Sequence, residues 1–259
     1  MTIEEHGTPA GVAPRACALS VSHLTKCFGD IRAVDDLDLT VGEGELFALL
    51  GVNGAGKTTT IRMLTALTAP TSGSATVLGF DLIRQNREVR AVSGVSPQQT
   101  AVAGGLTVRE NLMMMARIFG YGREEAKARA DALIAQFSLS EVENRRAKVL
   151  SGGYQRRLSI ALALVGQPKI LYLDEPTLGL DVLARRELWA LISGLKGSMT
   201  VILTTHYLEE AEALSDRVGV MAGGKLLALD TPAALKARAG CGNFEDAFVK
   251  IVGGEVSLS

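Results

Sequence analysis

The sequence predicts an α/β fold: a core with a parallel sheet, antiparallel strands towards the N-terminus, and a helical subdomain inserted into the core. Three observations carry this. Short apolar runs recur at Glu45–Leu50, Lys169–Leu173 and Met199–Leu203. Stretches of helical periodicity alternate with them, as when parallel strands are joined by crossover helices. The stretch from Thr107 to about Leu164 reads as nearly all helix.

Taken in order, Leu19, Val21 and Leu24, separated by Ser20, Ser22 and His23, alternate roughly as an early strand does. The run Glu-Leu-Phe-Ala-Leu-Leu (45–50) ahead of Gly51 has the look of a buried strand. From Gly56 the period turns helical through Ile61, Leu64 and Leu67. Thr107-Val-Arg-Glu110 and Ser140-Glu-Val-Glu143 both fit the reciprocal cap of a helix start. Another helix is expected from Tyr154 to about Val165. Between the two later strands, Leu188, Leu191, Ile192 and Leu195 share one helical face. A hairpin turning at Gly223-Gly224 and a helix around Phe244–Val252 complete the pattern. The expected organisation is a loose tail over 1–16, one domain over 17–230 holding the helical block at about 100–164, and a helical tail over 231–259 packed on the same domain.

Composition narrows the function classes. Of 259 residues 47% are apolar and 21% charged, which is globular rather than disordered composition. A formal net charge of −1 leaves no basic footprint for nucleic acid. Cys17, Cys27 and Cys241 lack metal-ligand spacing and are expected to be free thiols in a reducing compartment. No apolar run reaches the roughly 18 residues that span a bilayer, and the acidic, apolar-poor start is unlike a secretory signal. A soluble, cytoplasmic chain is the expectation.

Gly51-Val-Asn-Gly-Ala-Gly-Lys57-Thr58 follows a strand and opens a helix, the context that the phosphate-loop pattern G-x-x-x-x-G-K-[ST] requires. Glycines let backbone N–H groups curve around phosphate oxygens, and the helix start adds about half a positive charge. This makes the α/β core a P-loop NTPase core. Gly51, Asn53, Gly54, Ala55, Gly56, Lys57, Thr58 and Thr59 are the candidate nucleotide-binding residues, with Lys57 on the β/γ-phosphates and Thr58 on Mg²⁺. The competing reading is a turn that merely joins strand to helix.

Asp174 and Glu175 end the second apolar run, and strand ends of a parallel sheet converge on the ligand crevice. Asp174 is expected to hold Mg²⁺, through water. Glu175, on the opposite side of an extended backbone, is placed to deprotonate the attacking water. The alternative is a solvated strand end. His206 follows Val-Ile-Leu-Thr-Thr in the same topological position; it is either a γ-phosphate contact or a polar loop residue. Gln98, at the junction with the helical block, carries an amide able to ligand Mg²⁺ and to contact water.

Leu-Ser-Gly-Gly-Tyr-Gln-Arg (150–156) offers another helix start with a serine and two glycines, but no lysine and no acid. It fails as a complete nucleotide site and works as half of one, capping the γ-phosphate bound by a second copy related by a two-fold axis.

Together, Gly51–Thr59, Gln98, Leu150–Gln155, Leu171–Asp181 and His206 resemble the ATPase subunit of an ATP-binding cassette (ABC) transporter, over the chain from about Ala18 onward. The resemblance implies ATP and Mg²⁺ as ligands, Phe28 stacked on adenine, and Ser151, Gly152 and Gly153 contacting ATP across a dimer. It also implies that Asp181 lies in the loop coupling the two sites and that Gln98 sits at the hinge facing the membrane partner. On this reading Lys57, Gln98, Glu175 and His206 form the catalytic set, and Thr58, Gln98 and Asp174 hold the metal. Val52 stands where proline is frequent, and Tyr154 replaces the commoner glutamine of the signature. The implied partners are an integral membrane permease and a second copy or homologous ATPase subunit, with the chain peripheral on the cytoplasmic face of the membrane. The stretches "EDAFVKIVGG" and "GLDVLARRELW" are similar to exporter ATPases of the drug-resistance and polysaccharide type. The rival readings are an importer ATPase and a non-transport ABC ATPase acting in assembly or regulation.

Overall fold

Alternation builds the central sheet. In Leu46–Gly51 (β3), Leu46, Ala48 and Leu50 enter one apolar core while Phe47 and Leu49 enter another. Ile170–Asp174 (β7) sends Leu171 and Leu173 to the first core and Ile170 and Tyr172 to the second. Thr200–Thr205 (β8) divides Val201 and Leu203 from Ile202 in the same way. A strand covered on both faces needs apolar residues at successive positions, which is why these segments stand out as unbroken runs. The structure, a computed structural model, describes residues 16–254. The tail expected over 1–16 lies outside them apart from Ala16, whose carbonyl accepts from the Glu43 N–H at 2.7 Å.

Ser93–Ser96 (β6), β7, β8, β3 and Arg217–Ala222 (β9) run parallel, and Lys225–Asp230 (β10) closes the edge antiparallel to β9, in the order β10-β9-β3-β8-β7-β6. The β9–β10 hairpin turns on Gly223 and Gly224, both at positive φ (56° and 82°), as a two-residue turn of this hand requires. A separate antiparallel sheet contains Cys17–Phe28 (β1), Ile31–Gly42 (β2), Ser72–Val77 (β4) and Phe80–Asp81 (β5), in the order β2-β1-β4-β5. Its inward residues, among them Leu19, Val21, Leu37 and Leu39, share the second core with Phe47 and Tyr172.

The helices are Lys57–Leu64 (α1), Asn86–Val92 (α2), Val108–Ile118 (α3), Arg123–Gln136 (α4), Gly152–Ala163 (α5), Val182–Ser193 (α6), Leu208–Leu214 (α7), Pro232–Ala239 (α8) and Phe244–Gly253 (α9). Helices α3 to α5 fall between the neighbouring strands β6 and β7 and bury Leu112, Leu133, Phe137 and Leu158 in the first core. The expected cap at Thr107 forms: its hydroxyl accepts from Glu110 N–H and Glu110 accepts from Thr107 N–H at 2.8 Å. The one expected at Ser140 does not. Ser140–Val142 is a single 3₁₀ turn without a side-chain cap, because the Glu143 carboxylate is committed to Arg109 at 2.6 Å. Helix α5 begins two residues before the expected start, since glycines carry no apolar period to reveal them.

Candidate nucleotide site

The turn from β3 into α1 is shaped by what surrounds its glycines. Gly56, the N-cap of α1, has φ of 102°, and a Cβ there would lie 2.4 Å from the Ala33 carbonyl oxygen of β2. A Cβ on Gly51 would lie 2.4 Å from the carbonyl oxygen of Met221 on β9. Backbone on both sides thus excludes any side chain, and only glycine fits. Lys57 is buried; its Nζ donates to Gly51 O at 2.7 Å and Val52 O at 3.3 Å, and pairs with Glu175 Oε1 at 3.2 Å.

Parallel pairing aligns the strand ends, with Leu50 opposite Thr205 and Asp174 opposite Thr204. Asp174 Oδ1 accepts from Thr58 Oγ1 at 3.0 Å and from Thr204 Oγ1 at 2.6 Å. The Thr204 hydroxyl also accepts from Glu175 N–H at 3.0 Å. Glu175 departs from the extended backbone expected of it. Its φ is +49°, a left-handed conformation that turns the chain at the strand end. That turn aims its carboxylate at both Lys57 and His206, whose Nδ1 lies 2.7 Å from Oε2. Strain of this kind in a non-glycine residue persists only where surrounding contacts fix it.

Lys57, Thr58 and Glu175 border a cavity of about 450 Å³ lined also by Phe28, Ala33, Asn53–Gly56, Thr59 and Gln98, while Asp174 and His206 stand behind them and do not line it. Phe28 is half exposed, with Lys26 Nζ 5.0 Å from its ring centre. Gln98 is exposed, and its backbone is held from behind. The buried Arg156 of α5 donates to the carbonyls of Pro97 at 2.8 Å and Gln98 at 2.6 Å. Thr58, Asp174 and Gln98 offer oxygen donors, the type Mg²⁺ prefers, and the Thr58 hydroxyl already meets the Asp174 carboxylate. Hydroxyl, carboxylate and amide in this setting fit a magnesium ion beside a phosphate chain.

A family model described as ABC transporter matches residues 34–178, more than half of the chain. The chain is 46% identical over 220 residues to the daunorubicin resistance ATP-binding protein DrrA2 of Streptomyces coeruleorubidus, covering 85% of this chain and 68% of that relative. The chain belongs to the ABC transporter family. It is also similar to the daunorubicin/doxorubicin resistance ATP-binding protein DrrA of Streptomyces peucetius, 44% identical over 224 residues, with 86% of this chain and 68% of the relative covered. In structure it resembles an ATP-binding cassette in a dimeric, post-hydrolysis state bound to ADP and Pi, with a TM-score of 0.74, 27% identity, and 82% and 98% of the two chains covered. This ABC ATPase binds ATP with Mg²⁺ and hydrolyses it.

Within the ABC ATPase, Lys57, Thr58, Asp174, Glu175 and His206 meet at three strand ends, with Phe28 and Gln98 at the cavity wall. Ser151, Gly152, Gly153 and Asp181 do not line that cavity. Ser151 and Gly152 are exposed at the start of α5, and the Ser151 side chain makes no cap bond. Asp181 caps α6, accepting from Ala184 N–H at 2.9 Å. Tyr154, the departure from the usual signature, lies beneath the Arg157 guanidinium, 5.2 Å from its ring centre. The sequence reading missed Thr204 and Arg156. A threonine buried in an apolar strand, and an arginine four residues before the buried Ile160, were the available signals.

Proposed function

We propose that this chain is the ATP-hydrolysing subunit of an exporter, driving a separate membrane-spanning permease through ATP-dependent closure of a dimer. The observation that carries it is the Lys57–Glu175–His206 cluster beside the glycine turn. Phosphate entering the turn competes with Glu175 and two carbonyls for the Lys57 ammonium, which releases the carboxylate towards the γ-phosphate side. Glu175 then takes the proton from the attacking water, and His206 orients the carboxylate and contacts the γ-phosphate. Mg²⁺, held by Thr58, Asp174 and the Gln98 amide, would neutralise charge on the β- and γ-phosphates. Phe28 stacks on the base.

The exposed start of α5 supplies Ser151, Gly152 and Gly153 to the γ-phosphate bound by a second subunit. Asp181 in the neighbouring loop links the two sites. Charge-assisted contacts to the γ-phosphate hold the dimer closed until hydrolysis removes them. No helix among the described residues is long and apolar enough to cross a membrane, and the proposed place of this subunit is the cytoplasmic face, on its permease. The named drug-resistance relatives favour export.

Glu175→Gln tests the reading. Hydrolysis should fall by about 10²–10⁴-fold, the share of a general base, while ATP still drives dimer formation in size-exclusion chromatography. Unchanged turnover would remove Glu175 from its role. The same variant, ATP-loaded and affinity-captured from native membranes, should bring down an integral membrane protein; recovery of soluble assembly proteins alone would count against transport.

A further inference from the structure

Behind the hydrolytic strand ends lies a second polar cluster, none of whose members lines the nucleotide cavity. Glu210, on α7, is fully buried. Trp189 on α6 donates its indole N–H to Glu210 Oε1 at 3.0 Å, while Oε2 is buried without a hydrogen-bond partner. The hydroxyls of Thr177 and Thr205 face this carboxyl, and burial pushes its pKa up against their influence. Thr177 Oγ1 is itself buried and unpartnered, while Thr205 Oγ1 accepts from Tyr207 N–H at 2.9 Å. One turn before Trp189, the Arg185 guanidinium lies over the Tyr207 ring at 4.3 Å, and that ring packs against His206 with centroids 4.1 Å apart.

A carboxyl removed from water with a single firm hydrogen bond is expensive to keep. A merely apolar α6–α7 contact would serve stability as well or better. What the polar contact adds is direction, since each neighbour adjoins a group of the hydrolytic site. Thr177 lies two residues after Glu175, and Thr205 immediately precedes His206. Trp189 and Arg185 ride on the helix that Asp181 caps. Glu210 is therefore where the loop after Glu175, the strand end before His206 and helix α6 come together.

We propose that Glu210 and Trp189, reinforced by Arg185 on Tyr207, form a buried clamp that positions Glu175 and His206 for hydrolysis and makes the Thr177–Asp181 loop move with them. The clamp rests on the roles given above to Glu175 and His206. Its members are positioning residues: they act through the hydrolytic groups and touch no nucleotide.

The test compares turnover number, equilibrium ATP affinity and melting temperature in the full chain. Trp189→Phe keeps an aromatic ring, smaller than the indole, and removes the N–H; it should lower kcat by about 10-fold or more, as small misplacements of reacting groups do. ATP Kd should stay within about two-fold of wild type, because the binding contacts are untouched. Glu210→Gln keeps an acceptor for Trp189 and adds a donor facing Thr177, so it should retain kcat within about three-fold. Glu210→Leu should match Trp189→Phe, and the double variant should be no worse than either, as for two halves of one interaction. If Glu210→Leu does not fold, Trp189→Phe and Glu210→Gln still decide. A lower melting temperature with kcat unchanged would overturn the clamp in favour of simple anchoring of α7, and so would a loss confined to ATP affinity. Unchanged turnover in Glu175→Gln would overturn the role of Glu175 itself, a result independent of any change on α6 or α7.

Discussion

The turn Gly51–Thr58 and the turn Ser151–Gly153 both open a helix with glycines, yet their surroundings differ in nearly every respect. Backbone from β2 and β9 closes on Gly56 and Gly51, leaving 2.4 Å to the position of any added Cβ. Around Gly152 the nearest neighbour of such a Cβ is a Leu180 methyl at 3.7 Å. The first turn holds a buried lysine and stands against two buried carboxylates; the second is exposed and has neither. Helix-start N–H groups attract anions in both places. The lesson is that an anion cradle becomes a reaction site only when other strands bring charge and shape to it, and that the bare turn depends on something from outside its own subunit.

The strongest way to break this comparison is to damage each turn in a different chain. Lys57→Ala and Ser151→Arg should each cut steady-state hydrolysis by about 10²-fold or more, the scale of losing a charge-stabilising group. Equal mixing would put one intact composite site in half of the dimers, so turnover should recover to about a quarter of wild type if sites act independently. No recovery in verified mixed dimers would mean that the turns do not share a nucleotide.

A second contrast concerns stability. Thr204→Val removes the hydroxyl between Asp174 and the Glu175 amide and should lower folding stability by about 1.5–3 kcal/mol, as expected of a buried bond to a charged acceptor. Ser151→Ala should change it by less than about 0.5 kcal/mol, since that hydroxyl makes no cap bond. Urea unfolding midpoints of the two variants would show whether only the enclosed turn is tied to the fold. Next, Phe28→Ala should weaken ATP binding by about 1–2 kcal/mol if the ring stacks on the base. Unaltered affinity in equilibrium titration would leave the aromatic as wall alone.

The smallest effect sharpens the picture of what lies behind the enclosed turn. Burial raises the Glu210 pKa, while the hydroxyls of Thr177 and Thr205 and the Trp189 N–H oppose the rise; Glu175 adds to it, and Arg156 also lies within electrostatic reach. A proton kept by the folded state and lost by the unfolded one makes stability fall as pH climbs past the ordinary carboxyl pKa towards the folded value. Relative to Glu210→Gln, the wild-type melting temperature should therefore decline as pH rises above the ordinary carboxyl range. A constant difference would show that Glu210 does not titrate there.

Much of the fold was legible because the central strands are covered on both faces and must be apolar throughout, as in β3, β7 and β8. The glycine turn was legible because backbone crowding at Gly51 and Gly56 permits one residue type. The antiparallel sheet was harder to see. The strands of that sheet carry a core on one side only, and β1 breaks its alternation at register shifts near Leu24. At the site, the turn of Glu175 into left-handed backbone left no local trace, since it follows from contacts to residues distant in sequence: Lys57 on α1, Thr204 on β8 and His206 just after β8. The failed cap at Ser140 has the same origin: Arg109, far along the chain, took the glutamate that the local pattern had assigned to the helix start.

Arg156 has a mechanical consequence. Its flat, stiff guanidinium grips two consecutive carbonyls, those of Pro97 and Gln98, from the helix whose first residues are Gly152 and Gly153. Sliding the Gln98 segment away would strand a cation in the interior, so the segment and the helix must travel in step. A push received at one end of that tie is delivered, with little slack, at the other.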